Sequence, residues 1–106
     1  MKMELVKIVV FVPVAEAGKV REALAASGAG KMGNYEACSF STKGVGRFRP
    51  LAGAKPFVGE IGKAEEVEEE RIETICEKDK LEGVLAAVRA VHPYEEPAID
   101  IYPLLN

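Results

Sequence analysis

Twice in 106 residues a stretch of β-branched, alternating side chains hands over to a segment of helical periodicity. The first handover runs from "ELVKIVVFVPV" to "EAGKVREALAASGAG", the second from "EEVEEERIETICE" to "DKLEGVLAAVRAVH". Strands favour branched residues that alternate between two faces, whereas residues three and four apart share a helix face. The segments "NYEACSFSTKGVGRFRP" and "PAIDIYPL" read as further strands. The order is therefore strand, helix, strands, strand, helix, strand. Two βαβ-type halves in so short a chain predict an α+β, ferredoxin-like sandwich: βαββαβ with an extra hairpin, two helices covering one face of an antiparallel sheet. A chain of 106 residues has room for one core, so residues 1–106 are expected to form one domain.

The details sharpen this expectation. In the first strand Val6, Ile8, Val10 and Val12 share one face and Leu5, Val9 and Phe11 the other. A sheet covered by helices on one side should be polar on its second face, so an apolar second face calls for a cover. A second copy of the chain is the economical one, and a homo-oligomer is expected. The first helix carries Val20, Leu24 and Ser27 at helical spacing, with Gly28 as its C-cap. "TKG" inside the next stretch marks a hairpin turn, and "PFVGEIG" a short extended segment. In the long strand Ile72, Thr74 and Cys76 share a face. Asp79 with Glu82 forms a variant of the capping box before the stripe Leu81, Val84, Leu85, Val88 and Val91. That helix ends by His92, because Pro93 disfavours helical geometry in the residue before it.

Composition narrows the function. A net charge of −3 gives no generic attraction to nucleic acid or to anionic membranes, so neither is an expected partner. The longest apolar run, "IVVFVPV", is far too short to span a bilayer and lacks the flanks of a signal peptide. Cys38 and Cys76 stand far apart with no CxxC and no histidine nearby, as free thiols in a reducing cytosol do. A cytoplasmic protein is expected.

Four motifs bear on chemistry. "GAGKMG" satisfies G-x-G-x-x-G but closes a helix and leads into a strand. A dinucleotide fingerprint has the opposite context, so this one reads as a helix-to-strand connection and no cofactor is implied. "GRFRPL" places Arg47 and Arg49 on one side of a strand, with Phe48 opposite and Pro50 ending the ladder. Paired guanidiniums suit a carboxylate or phosphate; the alternative is ion pairing with the acidic strand "EEVEEERIE". "EEVEEE" itself reads as a solvated face rather than a metal site. Finally, "HPYEEPAIDIYPL" holds the only histidine, His92, at a helix C-terminus where the dipole favours its protonated form. Glu95 and Glu96 lie close by, and Pro93 and Pro97 give the loop a fixed shape. It serves as a rigid structural or interface loop, a ligand site or, least directly, an acid–base centre.

"GNYEACSFSTKGVGRFRPL", "RIETIC" and "HPYEEPAIDIYPL" resemble signature segments of the domain inserted in the Nif-three-like proteins, also called dinuclear metal centre hexameric proteins. The resemblance runs from Leu5 to Leu105 and implies a stand-alone version of that inserted domain. It further implies a fold similar to PII and CutA proteins, which assemble as trimers through their sheets. The family's two-metal site, and the cyclohydrolase or hydrolase activity for which some members are named, reside in flanking halves that this chain lacks. What carries over is a non-catalytic binding or regulatory module, a homotrimer holding a small ligand or meeting a partner protein. The residues expected to bind are Tyr35, Cys38, Arg47, Arg49, His92, Tyr94, Glu95 and Glu96, with the two arginines holding an anionic group. The alternative is a divalent-metal binder of CutA type, in which His92, Cys38 and Glu95 or Glu96 would converge within about 2.0–2.3 Å of one ion.

Overall fold

The computed structural model describes residues 3–105. Four strands form one antiparallel sheet: β1 (Leu5–Pro13), β2 (Phe40–Phe48), β3 (Glu65–Glu77) and β4 (Ile99–Pro103), in the order β2-β3-β1-β4. Helices α1 (Ala17–Ala26) and α2 (Leu81–Val91) follow β1 and β3 and pack on the same face. The expected sandwich is thus the fold. Val6, Ile8, Val10 and Val12 point at the helices and meet Val20, Leu24, Ile72, Val84 and Val88 in one core. Ile8, Val10, Ile72, Val84 and Val88 are 0% exposed. Each such side chain contributes roughly 1.5–3 kcal/mol of burial free energy.

The ends of the helices show how the turns are made. At the end of α1 the Gly28 N–H donates to the Ala25 carbonyl and the Ala29 N–H to the Leu24 carbonyl, a Schellman closure with Gly28 where the sequence places it. The expected capping box on α2 does not form. Lys78–Lys80 make a 3-10 turn, and Lys80 stands at the N-cap without a side-chain hydrogen bond. Its i→i+3 bonding begins the backbone ladder before α2 proper, so Asp79 has no capping geometry to fill.

Two sequence expectations for the middle of the chain are corrected. "TKG" (Thr42 to Gly44) does not turn; it lies inside β2, with Thr42 opposite Arg71, Lys43 opposite Glu70 and Gly44 opposite Glu69. There is consequently no extra hairpin among the described residues. "PFVGEIG" is not extended either, but belongs to the looped connection 49–64 between β2 and β3. The long partner strand outweighs the local turn signal: thirteen residues of β3 offer a ladder to the whole of β2. Beyond the last β1 pair, Pro13 with Glu69, β2 and β3 continue alone as a two-stranded ribbon. This gives the molecule its 51 Å length against 23 Å in the other two directions.

The second sheet face is less bare than its apolar residues imply. Val9 is 0% exposed although it lies on the face away from the helices. Lys7 and Arg71 both reach the carboxylate of Glu73, at 3.3 and 3.6 Å, and the Arg71 guanidinium lies 5.6 Å from the centre of the Phe11 ring. Charged side chains with long apolar stems cover the strand beneath them. Phe40 and Tyr102 remain exposed on this face, at 67% and 45%.

Candidate functional site

The "HPYEEP" loop follows α2 and is fastened at both ends to one residue of β1. The Phe11 carbonyl accepts from Nε2 of His92 at 2.8 Å, and the Phe11 N–H donates to the Ala98 carbonyl at 3.1 Å. His92 takes an extended conformation, φ −71° and ψ 133°, as the following proline requires. Its Nδ1 accepts the Tyr94 backbone N–H at 3.1 Å. A backbone N–H can only donate, so Nδ1 is unprotonated and the ring proton sits on Nε2. The histidine is 7% exposed, and both of its ring nitrogens are engaged with the backbone.

That anchoring aims Tyr94 at the root of the ribbon. Its hydroxyl donates to Oε2 of Glu69 at 2.9 Å, and its ring meets Phe48 edge-on at 5.9 Å and Phe57 at 6.3 Å. Burial, then the hydrogen bond to Glu69 and the charge of that carboxylate, push the Tyr94 phenol well above its usual range, so it stays a donor. Glu95 accepts the Lys55 backbone N–H at 2.6 Å and so ties the loop to the connection 49–64. Between loop, connection and ribbon lies a cavity of about 460 Å³. Phe11, Phe48, Pro50, Leu51, Pro56, Phe57 and Tyr94 give it an apolar lining, and Arg47, Arg49, Glu69, Glu95 and Glu96 supply the charges. Its size falls within the range of small-molecule sites, roughly 300–1,000 Å³.

Of the eight residues singled out by sequence, five line this cavity: Arg47, Arg49, Tyr94, Glu95 and Glu96. His92 stands behind it as the anchor. The arginines are not equivalent, because Nε of Arg47 already donates to Glu66 at 2.7 Å, whereas no carboxylate pairs with Arg49 among the described residues. Tyr35 and Cys38 lie elsewhere. Tyr35 is 76% exposed and bridges Met32 in the α1–β2 connection, and the Cys38 carbonyl accepts from Thr74 at 2.7 Å. His92 is bonded to Phe11, which lies opposite Arg71, and Thr74 stands three residues further along β3, about 10 Å at strand spacing, so Cys38 and His92 are held apart within one chain. Among the described residues no three His, Cys, Asp or Glu side chains converge on a metal position. Both cysteines are free.

Sequence reasoning missed Glu69, Phe57 and Gly46. Glu69 is 8% and Glu70 6% exposed, so "EEVEEE" is not a uniformly solvated face. A signal was present in "GVG": glycines inside a strand mark close approach of another group. An ideal Cβ on Gly46 would lie 2.1 Å from Oε1 of Glu69, so the missing side chain makes room for the carboxylate.

The geometry defines an α+β sandwich, and this fold is shared with known proteins. CutA from Archaeoglobus fulgidus superposes with a TM-score of 0.70 at 21% identity, covering 96% of this chain and 85% of that one. The Bacillus subtilis GlnK–ATP complex gives 0.65 at 15% identity, covering 98% and 84%. These two show the fold alone. No protein-family model matches the chain. Individual relatives are nearer. A "GTP cyclohydrolase 1 type 2 homolog" of Halalkalibacterium halodurans is 52% identical over 102 residues, 96% of this chain and 27% of the relative. Its namesake in Bacillus subtilis is 49% identical over 94% of this chain and 27% of its own length. The solved Bacillus cereus protein related to NIF3 is 48% identical with a TM-score of 0.86, over 98% of this chain and 26% of that one. The chain is a homologue of one region of these Nif-three-related proteins, and it spans about a quarter of their length.

Proposed function

We propose that the chain is a non-catalytic binding module whose site is the cavity between the "HPYEEP" loop and the ribbon. The observation that carries this reading is the bracing of that cavity: His92 and Ala98 pin the loop to Phe11, Tyr94 is bonded to Glu69, and Glu95 is bonded to Lys55. A loop held at four points around an apolar, aromatic hollow is pre-organised for a ligand. Arg49 at its rim pairs with no carboxylate among the described residues and supplies a guanidinium for an anionic group on that ligand. The commitment of both His92 nitrogens to the backbone supports binding over acid–base chemistry, since a general base needs a free lone pair near its substrate.

Self-association is part of the same reading. Phe40 and Tyr102 stay exposed on the face away from the helices, and we infer that copies of the chain meet there, as a homotrimer. The cyclohydrolase in the relatives' names is not assigned to this chain. The test is retention of small molecules. Wild-type protein passed through a deproteinised cell extract and desalted is expected to keep at least one compound, identified by mass spectrometry. The Arg47→Ala, Arg49→Ala double variant, whose side chains are exposed, is expected to fold and lose it. Equal retention by both would remove the arginines from the site, and no retained compound would count against a small-molecule role.

A further inference from the structure

Glu69 sits where β1 ends, opposite Pro13 on one side and Gly44 on the other, and is 8% exposed. Its two oxygens differ. Oε2 accepts the Tyr94 hydroxyl, while no donor among the described residues meets Oε1, which rests against Gly46 and borders the cavity. No buried side-chain oxygen among the described residues lacks a partner, so Oε1 is open to the cavity rather than sealed, and is free to accept from whatever enters it. The charges around it point the same way. Glu69, Glu95 and Glu96 face Arg47 and Arg49, and Arg47 is already neutralised by Glu66. Carboxylates thus outnumber the guanidiniums available to them. Phe48, Phe57 and Tyr94 also line the cavity, the first two with ring centres 5.9 and 6.3 Å from that of Tyr94, and aromatic rings attract a cation.

We propose that the floor of this cavity binds the positively charged nitrogen of a small organic cation, an alkylammonium or guanidinium group. Oε1 of Glu69 accepts its N–H, and the rings of Phe48, Phe57 and Tyr94 surround its charge. The assignment rests on the cavity being the binding site. It adds to that reading the chemistry of the ligand's buried end, leaving Arg49 for an anionic group at the rim. Gly46 is a positioning residue here, because any side chain in its place would displace the carboxylate.

A backbone-amide NMR titration with three probes of matched shape tests the assignment: phenethylammonium chloride, phenethyl alcohol and hydrocinnamate, at constant ionic strength. The ammonium is expected to shift the resonances of Gly46, Phe57 and Tyr94 and to bind at least about tenfold tighter than the alcohol, the size of a charge-assisted hydrogen bond. Glu69→Gln should abolish that advantage while leaving the affinity for the alcohol little changed. Gly46→Ala leaves the carboxylate present but moves it, and should weaken the ammonium in the same way; it serves if Glu69→Gln does not fold. Binding of the alcohol or the hydrocinnamate at these resonances as tightly as the ammonium would overturn the cation assignment and leave the cavity as a binding site. Failure of all three probes to move these resonances would overturn both.

Discussion

At Tyr94 one hydroxyl links two segments far apart in sequence, and its loss would leave the buried carboxylate of Glu69 without a donor. Tyr94→Phe keeps the ring contacts, so its cost is that of the missing hydrogen bond, about 1–3 kcal/mol. Urea denaturation should show this as a lower midpoint with an unchanged slope. Glu70 behaves differently. Burial raises its carboxyl, but the Ser41 hydroxyl and the paired Arg21 guanidinium, aided by Lys43, outweigh burial and hold it below its ordinary value of 4.5. A carboxyl that ionises more readily folded than unfolded contributes stability above its unfolded value, and that contribution fades as pH falls through the lowered folded one. Glu70→Gln should therefore be less stable than wild type at neutral pH, with the gap closing below pH 4.5. Stability curves that stay parallel into acid would contradict this. Neither role was legible in "EEVEEE", because a charge run does not reveal which of its members fall under a helix or a loop. The strand period puts Glu70 on the α1 side and Glu69 on the other, and only the fold says what waits there.

The strands and helices were legible where hydrophobic period and length agreed, as in β1, β3 and α2. They were misread where a local turn signal competed with a long-range ladder, as at Thr42 to Gly44. The α1–β2 connection shows what "GAGKMG" is for. The Gly30 N–H donates to the Ile75 carbonyl at 2.7 Å, and its own carbonyl accepts from the Cys38 N–H at 2.9 Å, clasping the connection to the end of β3. Gly30 has φ +83°, and a Cβ there would lie 2.6 and 2.7 Å from the Cys38 backbone. Gly30→Ala should cost about 1–3 kcal/mol from backbone strain alone, and more from the clash with main-chain atoms that cannot swing aside. Thermal denaturation should place it well below Gly44→Ala, where an added methyl meets nothing within 4 Å. Equal midpoints would show that the clasp contributes nothing.

The whole molecule is a sandwich whose helices close one sheet face and whose ribbon carries a cavity beyond the end of β1. The sandwich could be read from the order of elements. The cavity could not, because it is built by three segments, near residues 46, 57 and 94, that meet only through tertiary contacts. The apolar second face was legible in Leu5, Val9 and Phe11, but not its partial closure by Lys7, Arg71 and Glu73. The account therefore turns on whether that cavity holds a ligand in the assembled protein. Native mass spectrometry of the protein isolated gently from cells tests this most directly, with Ala54→Trp, a lining position, filling the cavity in a parallel sample. The account predicts a trimer carrying an organic adduct in the wild type and a trimer without it in Ala54→Trp. A wild type of bare mass, or the same adduct on both proteins, would contradict it.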